Sequence, residues 1–189
     1  MKKLIYIIFG GAVLLTIVLF VVFNFVCYKV RYEDSVEKYS KAYNLDKSLV
    51  MAIIKAESDF DSNAVSKSGA MGLMQIVPST SKWIAEELKE DYTTISMFDP
   101  ETNIKFGCFY LRYLFDKFYD QSTVICAYNA GEGVVKSWFG YGNVVDETKI
   151  TYDETREYLK RVNSYKKVYD LQFGLNWFSF LDKKLLLNI

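Results

Sequence analysis

The sequence predicts a mainly α-helical domain preceded by a single N-terminal transmembrane helix. Three observations carry that prediction. Leu4 to Cys27 is a continuous uncharged run in which Thr16 and Asn24 are the main polar interruptions. The remainder repeats apolar residues at three-four spacing, with capping residues and prolines at the starts and a glycine at a natural stop. Alternating strand patterns are confined to short ambiguous runs. The 189 residues suit one globular domain beside the membrane segment.

The first element is the anchor, residues 1–28. As a helix, a run of about 24 residues reaches about 36 Å, enough to cross a hydrocarbon core of about 30 Å with some tilt. A cleaved signal peptide is the competing reading, but its apolar region normally stops at about 7 to 15 residues and ends in a small-x-small exit, which is lacking here. Cys27 lacks the small preceding residue that lipoprotein processing requires. Lys2, Lys3 and the terminal amine against Lys29 and Arg31 give a thin excess for the N-terminus inside.

Residues 29–45 read as a charged juxtamembrane helix, and residues 46–170 as the helical domain. Asp46 is the expected N-cap of a helix in which Leu49, Val50, Ile53 and Ile54 recur at helical spacing, ending near Glu57. Asp59 to Ala70 is polar loop, and Gly69 and Gly72 permit backbone conformations or close approach that a side chain would block. Pro78-Ser79-Thr80 starts a helix to about Glu90 with Trp83 and Ile84 inward. Asp99-Pro100 pairs a cap with a first-turn proline. Ile104, Gly107, Cys108, Leu111, Leu114, Phe115 and Phe118 then form the clearest amphipathic stripe, read as core packing.

A short helix over Gln121 to Ala130 is stopped by Gly131, which places Tyr128 and Asn129 at its end. Gly133 to Phe139 reads as a further helical turn. Thr151-Tyr152-Asp153-Glu154 matches a capping box ahead of a last helix carrying Tyr158, Leu159, Val162, Tyr165 and Tyr169. Residues 171–189 form an apolar, aromatic extension that packs on the domain or touches the bilayer.

Composition removes several classes of function. With 23 basic and 23 acidic residues and no basic run, phosphate-backbone binding is not expected. The chain has no histidine, which excludes Ser-His-Asp and Cys-His catalytic units and His-ligated zinc. Three scattered cysteines, Cys27, Cys108 and Cys126, are too few for an all-thiolate zinc site. On a hairpin turning near Asp120, Cys108 and Cys126 come out about 9 Å apart along the axis, so buried free thiols are expected. No metal or other cofactor is called for, and catalysis must use carboxylates, Tyr or Lys.

Glu57 is the carboxylate placed for such work. Four residues after Ile53, it lies on or beside the buried stripe, where low dielectric and the negative end of the helix dipole both favour the protonated acid. The bland alternative is a solvated glutamate at a helix end.

The motifs around Glu57 resemble a known family. Glu57-Ser58, Ser68-Gly69-Ala70-Met71-Gly72-Leu73-Met74-Gln75-Ile76-Val77-Pro78-Ser79-Thr80, Ala127-Tyr128-Asn129-Ala130-Gly131 and Glu154-Thr155-Arg156 stand in order and spacing similar to the catalytic domain of the soluble lytic transglycosylases, relatives of goose-type lysozyme. The resemblance spans about residues 40 to 170. It implies a lysozyme-like fold and non-hydrolytic cleavage of the bond between N-acetylmuramic acid and N-acetylglucosamine in peptidoglycan, leaving 1,6-anhydro ends. It implies Glu57 as the single acid-base, Gln75 and Tyr128 near the acetamido group and reacting ring, and Asn129 ordering adjacent backbone. Glu154 would line the cleft, Gly72 and Met74 would form its wall, and Ser66 is a further substrate contact. For Met74 core filling, and for Glu154 the capping role, remain open. The implied partners are glycan strands, the membrane through the N-terminal helix, and cell-envelope machinery for wall remodelling or local wall opening, with the domain outside the cytoplasm. A hydrolytic muramidase and a non-catalytic wall-binding scaffold are the alternatives.

Overall fold

A computed structural model describes residues 2–28 and 30–186, together with the side chains within them other than those at 4, 5, 7, 8, 17, 20–27 and 175–186. Among the described residues there are α-helices, two 3-10 turns and isolated β-bridges, with no strand. The chain divides into two compact units, Met1–Val30 with Asp170–Ile189, and Arg31–Tyr169.

In the first unit the uncharged run is one helix, α1 (Lys2–Cys27). Its described apolar side chains, among them Tyr6, Phe9, Leu14 and Leu19, are exposed. Among the described residues no helix is long and apolar enough to cross a membrane. Much of the expected span, including the Cys27 side chain, lies outside the described side chains. The extension expected at 171–189 is helical as far as Leu186, and 187–189 lie outside the described residues.

The second unit is built on α3 (Lys47–Ser58). Leu-Val-Met-Ala-Ile-Ile is apolar without interruption, and every residue from Leu49 to Ile54 is fully buried. A helix that is hydrophobic all round belongs inside a fold, so α3 forms the core instead of presenting one stripe to it. Asp46 caps it, accepting from the Ser48 amide, and Asp59 closes it in the left-handed conformation.

Around α3 stand α2 (Glu33–Ala42), α4 (Pro78–Leu88), α5 (Pro100–Phe118), α6 (Gln121–Ala130), α7 (Glu132–Phe139) and the first turns of α8 (Asp153–Leu186). Asp99 and Asp120 each cap their helix through the amide of the third residue on, as their sequence positions require. On α5 the apolar stripe is buried at Ile104, Cys108, Leu111, Leu114 and Phe118, while Phe115 remains partly exposed. Cys108 and Cys126 are buried free thiols. Burial alone pushes the Cys108 thiol far up, so it is inert at neutral pH.

Three local expectations are corrected. The helix starting at Pro78 ends at Leu88, because Lys89 turns into the left-handed region and its amide reaches back to the last turn. Trp83 does not point inward with Ile84, but stands partly exposed against α5. Thr151 and Glu154 form no capping box: α8 begins at Asp153, so the pair has the wrong register, and Glu154 is exposed.

Candidate active site

The carboxylate at the end of α3 faces the start of α8. Glu57 Oε1 accepts a hydrogen bond from the Tyr158 hydroxyl at 2.6 Å. Burial raises the Glu57 pKa to about 7, against the lowering effects of the Tyr158 hydrogen bond and the Arg161 charge. Glu154 adds a small push upward by like charge. Tyr158 is almost fully buried and, like Tyr128, is held far above its ordinary pKa by burial and by the Glu57 charge, so both stay phenols.

The loop between α3 and α4 is folded onto this acid. Two short bridges, Val65 to Met71 and Met71 to Ile76, fold the segment back on itself. Gly72 takes φ +74, and a Cβ there would meet the Met97 carbonyl at 2.2 Å, so only glycine fits. Ser58 ties the helix end to the loop by donating to the Leu73 carbonyl at 2.8 Å. Asn103, fully buried on α5, accepts from the Met74 amide and donates to the Met71 and Met97 carbonyls.

That turn presents Gln75 in a left-handed conformation, φ 49, which a non-glycine residue holds only when its surroundings enforce it. The Gln75 amide nitrogen donates to the Ala64 and Gly72 carbonyls, at 3.1 and 2.9 Å. Both donors are spent, so Oε1 is the atom left for a ligand. Tyr128 at the end of α6 donates its hydroxyl to the Met74 carbonyl at 2.8 Å. Asn129 accepts from Thr155 on α8 at 2.7 Å, joining α6 to α8.

An open groove runs over these groups. One stretch is lined by Glu57, Ser66, Ser68, Gln75, Tyr128, Asn129 and Glu154. It shares Gln75, Val77, Tyr128 and Asn129 with a second stretch that continues to Thr80, Tyr110 and Gly131. Thus Glu57, Ser66, Gln75, Tyr128, Asn129 and Glu154 come together on one surface. Gly72 and Met74 do not. Both are buried beneath the turn, Met74 against Gly107 of α5 and Gly72 against Asn103, so they support the groove from below and do not form its wall. Tyr158 and Asn103 are partners that sequence reasoning missed, and Thr155 stood in a quoted motif without its partner Asn129. Tyr158 is four residues after Glu154 and reads as core stripe, and Asn103 was indistinguishable from any polar residue in a first helical turn.

The chemistry available is that of one desolvated carboxyl, protonated for much of the time near neutrality, beside a groove open to a long ligand. Known proteins share much of this sequence and fold. The E. coli K12 soluble lytic murein transglycosylase is 33% identical over 155 residues, a match covering 78% of this chain and 24% of that protein. Membrane-bound lytic murein transglycosylase C of Pectobacterium atrosepticum is 34% identical over 166 residues, covering 74% of this chain and 46% of that one. Among solved structures, an inactive mutant of the lytic transglycosylase Slt from Pseudomonas aeruginosa superposes with a TM-score of 0.71 at 29% identity, covering 78% of this chain and 25% of that one. The chain therefore spans under half the length of these relatives. Its residues 34–151 match the family described as the Transglycosylase SLT domain, and the chain belongs to that family.

Proposed function

We propose that this protein is a membrane-anchored peptidoglycan lytic transglycosylase with Glu57 as its single acid-base. The observation that carries the reading is the Glu57 carboxyl, largely buried on a groove wall, hydrogen-bonded to Tyr158 and raised to about 7. A protonated Glu57 gives its proton to the oxygen joining N-acetylmuramic acid to N-acetylglucosamine as the bond from that oxygen to the anomeric carbon breaks. Left ionised, the same carboxylate takes the proton of the muramic 6-hydroxyl, whose oxygen bonds to the anomeric carbon. The proton count closes on Glu57, and no water is consumed.

The surrounding groups support binding. Gln75 Oε1, its amide hydrogens already committed, accepts from the N–H of an acetamido group. Tyr128, whose hydroxyl hydrogen is held by Met74, offers its ring and an acceptor. Ser66 and Glu154 contact the sugar on the Glu57 side, and Asn129 keeps the α6 end in register with α8. Anchoring by α1 is supported by the uncharged run, by its single unbroken helix, and by the relatives named membrane-bound, and the extracytoplasmic side follows from the proposed substrate.

Glu154 in the same groove favours one second reading, hydrolysis with two carboxylates. Mass spectrometry of the muropeptides released from purified peptidoglycan separates the two. Anhydro ends, lighter by one water than hydrolytic products, are expected; reducing ends would replace the proposal with a muramidase.

A further inference from the structure

Beyond Tyr110 the groove does not stop. It continues into a recess lined by Ser79, Thr80, Trp83, Tyr110, Tyr113 and Glu132, sharing Thr80 and Tyr110 with the stretch before it. Tyr110 and Tyr113 are nearly parallel, 14° apart with centroids at 6.2 Å. Trp83 crosses them at 80° and 66°, with its centroid 4.9 Å from that of Tyr113. The result is a partly exposed aromatic corner.

Glu132 stands at the side of this corner in a fixed pose. Tyr113 donates to its Oε2 at 2.7 Å and Tyr141 to its Oε1 at 2.5 Å. A carboxylate has about four acceptor sites, so each oxygen keeps capacity for a further donor. Lys117 lies over the Tyr113 and Tyr141 rings, and Lys136 over Tyr141. Burial pushes the Glu132 pKa up, but the two tyrosine hydrogen bonds and the two lysines outweigh it and hold the group ionised.

These features distinguish between ligands. An aromatic corner with a carboxylate could cage an ammonium group, but the two lysines beside Glu132 already offset its charge and oppose a second cation. A pyranose ring meets no such penalty. Its C–H face lies on an aromatic ring, and its hydroxyls donate to the carboxylate and exchange hydrogen bonds with Ser79 and Thr80.

We propose that Trp83, Tyr110, Tyr113 and Glu132 form a distal sugar-binding subsite that holds the strand several rings away from Glu57 and makes the protein prefer long glycans. The inference rests on the glycan-cleaving reading and adds to it the residues that would set chain-length preference.

The test uses the full chain carrying Glu57→Gln, so that ligand is not consumed. Peptide-free strands of alternating N-acetylglucosamine and N-acetylmuramic acid, tetrasaccharide and octasaccharide, are titrated calorimetrically. The longer strand should bind roughly tenfold tighter, the scale of one good aromatic contact. Trp83→Ala or the near-isosteric Glu132→Gln, each checked for folding by circular dichroism, should remove most of that advantage. Equal affinity for the two lengths, or an advantage that survives both substitutions, overturns the subsite. So does a Glu132→Gln effect seen only with strands carrying amine-bearing stem peptides, which would mark an ammonium site. Cleavage of peptidoglycan by the unsubstituted chain reports separately on the proposed function, which stands if only the length preference fails.

Discussion

Glu57 occupies a position where burial and chemistry make opposite demands. Its pKa is raised to about 7 from an ordinary 4.5 by burial. Below about 4.5 the carboxyl is protonated in folded and unfolded chains alike and costs nothing. Between about 4.5 and 7 the folded state binds the proton more tightly, so stability falls as pH rises, by about 3 kcal/mol once both states are ionised. Glu57→Gln should therefore abolish glycan cleavage by several orders of magnitude while leaving the chain more stable than the parent at pH 8 and nearly equal at pH 4. Chemical denaturation at the two pH values measures this; an unchanged gap would mean that the carboxyl is solvated. Cleavage by the parent should decline as pH rises through about 7, where the acid is lost. Tyr158 opposes the rise by donating to the carboxylate. Tyr158→Phe should move that decline upward by about one pH unit, which a rate profile from pH 5 to pH 9 would read.

At the level of elements, the groove depends on α5 holding the loop before α4. Asn103 makes all three of its hydrogen bonds to the backbone of Met71, Met74 and Met97, in a setting with no access for water to replace them. Asn103→Ala should cost about 3 kcal/mol, since buried carbonyls and an amide are left unpaired, and should lower the melting temperature by roughly 10 °C. Gly72→Ala should be worse, because the added carbon would meet backbone oxygen of Met97 in a conformation that L-residues rarely adopt. Thermal melts rank the two; a Gly72→Ala chain melting with the parent would show that the turn has room to shift. Gln75 depends on the same turn, so cleavage in any folded Asn103 variant should fall by more than the stability loss explains.

At the scale of the whole molecule, the proposed anchor makes a prediction independent of catalysis. The full chain should sediment with membranes through a high-salt wash and be released by detergent, whereas a chain beginning at Arg31 should stay in the supernatant, since Arg31–Tyr169 is a compact unit in its own right. A full chain released by salt alone would reduce α1 to a peripheral contact. The high-salt wash screens electrostatic adhesion, so binding that survives it is apolar.

Local signals placed most helix starts because capping information is local, while the end of α4 and the start of α8 departed from them. Asp46 and Asp99 are capping residues read within a few positions, and prolines and glycines mark starts and stops with little help from the rest of the chain. The motifs also singled out Glu57, Gln75, Tyr128 and Asn129, which line one groove in the fold. What only the tertiary structure decided is how side chains far apart in sequence share a surface. Met74 and Gly72 belong to the support because α5 packs beneath them, Tyr158 reaches Glu57 because α8 starts beside the end of α3, and Trp83 faces a groove because α4 leaves it against aromatic residues of α5. Periodicity tells which face of a helix is apolar; it does not tell which neighbour will cover that face. That choice belongs to the packing of the whole chain.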